Sequence, residues 1–285
     1  MNGIEIKDLI VSLDGFSLKD INIELPKGTI LGLIGRSGAG KTTLIKAIGH
    51  LYPYVFGDVM IGGNTISRNE VKYKRDLAIV SDKNVINPFI SVRGLRNSLK
   101  SYPGYNDEFF VKSLNRFIIN PDQRVGKLSY GTQKKLNIIM MMSLSPKLLV
   151  LDEPTSGVDP ADKAELNEMF QEFMEDEENS IVYSTHITGD LDKIADYVAL
   201  LENGRIMFCM PKDELIETHY IVKIGKEQYN DKIGWQLIGK KEGAFGIEGL
   251  TKDMSLINEF GLDFAKPNIE EIMVCYLNEY RTRSV

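Results

Sequence analysis

Gly35-Arg36-Ser37-Gly38-Ala39-Gly40-Lys41-Thr42-Thr43 fits the pattern G-x-x-x-x-G-K-[ST], and its flanks are those a phosphate loop requires. Ahead of it, Thr29-Ile30-Leu31-Gly32-Leu33-Ile34 is a short apolar run that reads as a buried strand. Behind it, Thr42 to Leu51 lacks proline and carries Leu44, Ile45 and Ile48 at helical spacing. The motif is therefore expected on a strand-to-helix turn. Gly35, Gly38 and Gly40 permit backbone dihedrals closed to other residues, so successive N–H groups turn inward and the helix N-terminus adds partial positive charge. In such an anion cradle Lys41 reaches the β- and γ-phosphates of a nucleotide, and the Thr42 hydroxyl is a ligand of Mg2+.

Composition bounds the rest. The chain has 285 residues, 43% hydrophobic and 26% charged, which suits one large domain or a domain with an appended module. A net charge of −6 argues against a broad nucleic-acid surface, because phosphate backbones are bound through clustered Lys and Arg. Cys209 and Cys275 lack metal-ligand spacing, no signal peptide is apparent, and both read as plain thiols of a reduced cytosolic chain. The most apolar stretch, Leu136 to Leu151, is interrupted by Asn137, Ser143, Pro146 and Lys147. It falls short of the ~20 apolar residues of a spanning helix, so any membrane role is expected through a partner chain.

In chain order, Ile4 to Val11 and Ile21 to Leu25 read as strands, with Pro26-Lys27-Gly28 turning into the phosphate-loop strand. Phe16 is the aromatic of the connecting stretch and is a candidate to stack on an adenine ring or to pack in a loop. Val59-Met60-Ile61 and Leu77-Ala78-Ile79-Val80 are further strands, split by the Gly62-Gly63-Asn64 turn. From Asn84 to Lys127 the character changes: Ser91 to Leu99 and Asp107 to Phe117 read as amphipathic helices, a helical insertion over about 84–130.

Leu128-Ser129-Tyr130-Gly131-Thr132-Gln133 then opens a helix, followed by Lys147-Leu148-Leu149-Val150-Leu151-Asp152-Glu153-Pro154, a buried strand ending in two carboxylates. After a phosphate loop this reads as a Walker B strand, in which Asp152 holds Mg2+ through water and Glu153 orients or deprotonates the attacking water. Asp162 to Glu178 is expected as one helix, Ile181 to Ser184 as a buried strand, and Leu191, Ile194, Ala195 and Val198 as the next helix. Leu200 to Ile206 reads as a closing hairpin. Beyond Pro211, Tyr220 to Ile224 and Trp235-Gln236-Leu237-Ile238 look strand-like, and Asn268-Ile269-Glu270-Glu271 looks like a capped helix start.

These motifs together resemble those of the nucleotide-binding subunits of ABC transporters over residues 1 to about 210. Ser129-Tyr130-Gly131-Thr132-Gln133 lies in the position of the family signature, Ser156-Gly157-Val158-Asp159 in that of the D-loop, and Ser184-Thr185-His186 in that of the switch histidine. The resemblance implies a P-loop α/β core with an antiparallel β subdomain and a helical subdomain, followed by a C-terminal α+β extension over 211–285. It also implies two copies sandwiching two ATP molecules, with Ser129 and Gly131 contacting the γ-phosphate in trans and His186 contacting it from the same chain. The partners implied are a separate transmembrane permease and a second copy, or a paralogous ATPase subunit, on the inner face of the cell membrane.

Three departures stand out, the first being that no aromatic sits cleanly where the family's adenine-stacking residue lies, which leaves Phe16 as the candidate. Where the family carries a Mg2+-binding glutamine, this chain has Asp82; in the signature, Tyr130 and Thr132 replace Gly and Gln. The compact insertion around Tyr102-Pro103-Gly104, the Ser184-Thr185-His186-Ile187 switch and the short extension resemble bacterial ABC-2 type exporters of antibiotics and toxic or cytolytic peptides. The alternatives are a soluble ABC ATPase or a nucleotide sensor without a transport role. Two domains in one chain or a long coiled coil would mark the first, and a missing Lys41, Asp152, Glu153 or His186 the second.

Overall fold

The computed structural model describes residues 2–83, 85–243 and 246–283; Asn84, where the helical stretch is expected to begin, lies outside them. Up to Pro211 the elements are β1 (Asn2–Leu13), β2 (Phe16–Pro26), β3 (Ile30–Ile34), α1 (Lys41–Ile48), β4 (Phe56–Ile61), β5 (Asn64–Thr65), α2 (Glu70–Asp76) and β6 (Leu77–Val80). Then come α3 (Val92–Leu99), α4 (Asp107–Arg116), α5 (Tyr130–Met142), β7 (Leu148–Asp152), α6 (Pro160–Met174), β8 (Ser180–Thr185), α7 (Thr188–Ile194), β9 (Tyr197–Glu202) and β10 (Arg205–Pro211).

Two sheets follow from the patterning. β2 alternates, with Ile21, Ile23 and Leu25 buried and Asn22 and Glu24 exposed, and it belongs to an antiparallel sheet in the order β2-β1-β4-β5. β3, β7 and β8 are buried along their whole length, as expected for continuous apolar runs, and lie inside a sheet ordered β10-β9-β3-β8-β7-β6. β10 is its antiparallel edge; the other neighbouring strands pair in parallel. The register sets Ile34 beside Thr185 and Asp152 beside Ser184, so the carboxyl ends of β3, β7 and β8 finish side by side. In open α/β sheets ligands bind beyond such strand ends.

The helical insertion is built as its sequence suggests. Ser91 caps α3 by accepting from Gly94 N–H, Asn106 caps α4 by accepting from Phe109 N–H, and Phe110 and Leu114 are buried. Two boundaries differ from expectation. α6 stops at Met174, short of the acidic Glu175 to Glu178. Val198 is not helical: Asp196 exchanges two backbone-directed hydrogen bonds with Ile30, which draws the chain out of helix and into β9 beside β3.

The remainder comprises α8 (Lys212–Glu217), β11 (Tyr220–Gly225), α9 (Asp231–Trp235), β12 (Ile238–Glu242), β13 (Gly246–Thr251), α10 (Met254–Phe260), β14 (Asp263–Ala265) and α11 (Ile269–Arg283). From β11 to β14 the order is β-α-β-β-α-β in an antiparallel sheet arranged β12-β13-β11-β14, the split β-α-β or ferredoxin-like pattern. Trp235, expected in a strand, ends α9 and is 88% exposed, because Asn230 caps a helix over this stretch. Val222, Ile224, Ile233, Leu256 and Ile257 form the module's own core. Its other sheet face carries Ile221 and Leu250, which join Ile269, Ile272 and Leu277 of α11 in the same core as Leu191 and Val198.

Candidate functional site

The phosphate loop is held open by backbone geometry. Gly38 (φ 82°) and Gly40 (φ 113°) sit in the left-handed region, and a Cβ on Gly40 would lie 2.6 Å from Phe16 Cζ. Lys41 is buried, with Nζ donating to the Gly35 carbonyl at 2.7 Å and to that of Arg36 at 3.3 Å. Burial pulls its ammonium below the usual lysine range, and the carboxylates of Glu153 and Asp152 oppose that pull. The loop faces a cavity of about 510 Å3 lined by Arg36, Ser37, Gly38, Gly40 and Lys41 to Thr43, with Phe16, Asp82, Asp152, Glu153 and His186. Gly35 and Ala39 turn the other way, towards the β9–β10 hairpin.

The strand ends supply the acids. Asp152 is buried at the tip of β7; its Oδ2 accepts from Thr42 Oγ1 at 2.9 Å and its Oδ1 from Ser184 Oγ at 3.2 Å. Thr42 and Asp152 thus present hard oxygens beside a phosphate cradle, the donor type that suits Mg2+. Glu153 follows in the left-handed region (φ 51°), its N–H donating to Ser184 O at 3.0 Å. Its Oε2 is 2.9 Å from His186 Nδ1. Residues from the ends of three strands therefore meet in one cavity.

The signature stretch does not line that cavity, although Tyr130 Oη reaches Asp82 at its edge. Ser129 caps α5, with Oγ accepting from Thr132 N–H at 3.2 Å and lying 2.8 Å from Thr132 Oγ1; Gln133 Nε2 donates to Leu128 O at 2.9 Å. Tyr130 is 54% exposed and its ring packs against Gly157, where a Cβ would sit 3.1 Å away; Gly131 packs near Gly157 O. Asp159 caps α6 by accepting from Ala161 N–H. None of Ser129 to Gln133, nor Asp159, lines the phosphate cavity of this chain.

Asp82 lines the cavity, yet its Oδ1 accepts from Lys134 Nζ at 2.9 Å and from Tyr130 Oη at 3.2 Å. Lys134, which the motif reading passes over, is buried and also donates to Ser156 O at 3.0 Å. It ties the Asp82 loop, α5 and the segment after Glu153 together. Ser184 was visible only as a neighbour of His186. A lysine next to the signature is the signal for the first; nothing in the sequence marks the second as an Asp152 partner. Burial pushes the thiols of Cys209 and Cys275 up to about 11, which keeps them protonated and inert near neutral pH.

The ABC transporter family profile matches residues 18–156. The chain is 30% identical over 192 residues, 67% of its length and 82% of the relative's, to the lantibiotic transport ATP-binding protein SrtF of Streptococcus pyogenes. It is 26% identical over 223 residues, 78% of its length and 76% of the relative's, to the ABC transporter ATP-binding protein YtrB of Bacillus subtilis. Among solved structures, an ATP-binding subunit of an ABC transporter matches with a TM-score of 0.68 and 26% identity, covering 75% of this chain and 92% of that one.

Proposed function

The chain belongs to the ABC transporter family as an ATP-binding subunit, and from that premise we propose that it drives a separate permease exporting a peptide, toxin or drug. ATP hydrolysis is coupled to transport in this family. The observation that carries the reading is the single cavity in which the phosphate loop, Asp152, Glu153 and His186 converge. We assign residues 1–210 to the ATPase domain and 211–285 to the accessory module.

In this reading the N–H groups of Gly38 and its neighbours, with Lys41, hold the phosphates of ATP. Thr42 and Asp152 would hold Mg2+, with Asp82 lining the same cavity, and the ion would supply charge neutralisation at the phosphates. Glu153 accepts a hydrogen bond, then a proton, from the attacking water, while His186 fixes the Glu153 carboxylate and faces the γ-phosphate. Phe16, packed against Gly40, borders the adenine end. The placement of Ser129 and Gly131 outside their own cavity supports a second copy, or a paralogous subunit, supplying its signature in trans.

Among the described residues no helix is long and apolar enough to cross a membrane, so the permease is a separate chain in this reading. It docks beside Asp82 and the helical insertion, where Val85 and Phe89 are 63% and 79% exposed, and places the subunit at the inner membrane face. The peptide-type cargo follows the name of the lantibiotic transport relative, and the export direction is part of this proposal. A host strain lacking the chain should become sensitive to a lantibiotic-type peptide and regain resistance with the parent but not with Lys41→Ala. Unchanged sensitivity would reject the export reading.

A further inference from the structure

The wall behind the phosphate loop is the β9–β10 turn. A Cβ on Gly35 would lie 2.3 Å from Leu201 O, and Gly204 N–H donates to Ala39 O at 2.9 Å while Gly204 O accepts from Lys19 N–H at 2.7 Å. A Cβ on Gly204 would meet Ser17 O at 2.0 Å. The Gly204 peptide is thus pinned between β2 and the phosphate loop with no slack. Asn203 (φ 45°) and Gly204 (φ 74°) are the two left-handed residues of this tight turn.

One side chain from the far end of the chain holds that turn: Asn203 Nδ2 donates to Tyr280 Oη at 3.2 Å. Tyr280 lies near the end of α11, whose start is fixed in the C-terminal module. Asn268 and Glu271 cap it reciprocally, Ile269 and Ile272 are buried, and Gly239 N–H donates to Glu279 Oε2 at 3.0 Å. From Ile269 to Tyr280 the helix spans about 16 Å. A cavity of about 520 Å3 separates it from the loop, with Arg36 to Ala39 on one side and Tyr280 and Arg281 on the other.

We propose that Tyr280 is a positioning residue for the phosphate loop, acting through Asn203 and Gly204 on Ala39, so that the C-terminal module sets the affinity for ATP. The proposal rests on the ATP-binding reading of the loop. It predicts an effect on nucleotide affinity, with the chemical step untouched, because the Tyr280 bond reaches the β9–β10 turn while Glu153 and His186 are held to each other.

The test titrates the full-length chain, Tyr280→Phe, Asn203→Gly and the double variant with a fluorescent ATP analogue and Mg2+, alongside kcat at saturating ATP and Tm. Each single variant should bind about twofold to fivefold more weakly, the range of one exposed hydrogen bond. kcat and Tm should hold, and the double variant should bind no more weakly than either single one. Parental affinity in Tyr280→Phe, additive losses in the double variant, or a loss that tracks a fall in Tm would overturn the proposal. A parent that binds no analogue would instead overturn the ATP-binding reading, and the proposal with it.

Discussion

His186 Nδ1 and Glu153 Oε2 lie 2.9 Å apart, joined across the carboxyl ends of two neighbouring parallel strands. Glu153 holds a left-handed backbone that non-glycine residues seldom adopt, and its N–H bond to Ser184 O keeps it there. Such strain, sustained at a strand end, aims the carboxylate into the cavity. Glu153→Gln should keep MgATP binding but lose hydrolysis by about 100-fold or more, the usual range for a general base. The same variant should shift from monomer to dimer mass on size exclusion when MgATP is added. Hydrolysis at the parental rate would remove Glu153 from the water-activating role.

Lys41 spends its ammonium on the carbonyls of Gly35 and Arg36, so the charge is already poised inside the loop. Two charge-assisted bonds to phosphate would be lost in Lys41→Ala, about 3 kcal/mol or a hundredfold in affinity. Equilibrium binding of a fluorescent ATP analogue checks this. Retained affinity would mean that the loop N–H groups suffice without the lysine.

Lys134 is 4% exposed and bridges Asp82 to Ser156 O, so replacing it strands the Ser156 carbonyl and leaves Asp82 Oδ1 to Tyr130 and solvent. Lys134→Met should lower the stability of the chain by about 1–3 kcal/mol, the penalty of leaving such groups unpaired. Denaturant unfolding measures it. A midpoint equal to the parent's would show that the Asp82 loop is held by Tyr130 and its own backbone alone.

The residues that line the phosphate-loop cavity were legible because phosphate chemistry demands residue types at fixed spacing: Gly40 and Lys41, Asp152 and Glu153 stand next to one another in sequence. The buried strands were legible as continuous apolar runs, and the helical insertion through the helical spacing of Phe109, Phe110, Leu114 and Phe117. The C-terminal module was legible only in part, as the strand from Tyr220 and the helix that begins at Ile269. β13 contains Gly246 and Gly249, β14 has three residues that are all exposed, and Trp235 points to solvent, so the usual alternation is absent. The bond from Asn203 to Tyr280 joins residues 77 apart, which no local pattern reveals. Val198 was misread for a related reason, since its strand is fixed by Ile30 pairing with Asp196 rather than by local periodicity.

In the helical insertion, Asp107 accepts from Arg96 Nε at 2.7 Å and from Tyr105 Oη at 3.2 Å. The Arg96 hydrogen bond draws its carboxyl down to about 2, and burial pushes the Tyr105 phenol up to about 12. An unfolded aspartate titrates near ~3.9, so the folded state holds this carboxylate ionised over a range where the unfolded chain takes up a proton. The contribution to stability is therefore present above about pH 4 and is lost as pH falls through about 2. An NMR titration should place the Asp107 midpoint near 2 in the parent and raise it towards ~4 in Arg96→Gln, with the Tyr105 hydrogen bond still holding it down in part. A parental midpoint near ~4 would mean that Arg96 does not hold Asp107 in solution, and that the junction between α3 and α4 relies on the Asn106 cap and the buried Phe110 and Leu114 alone.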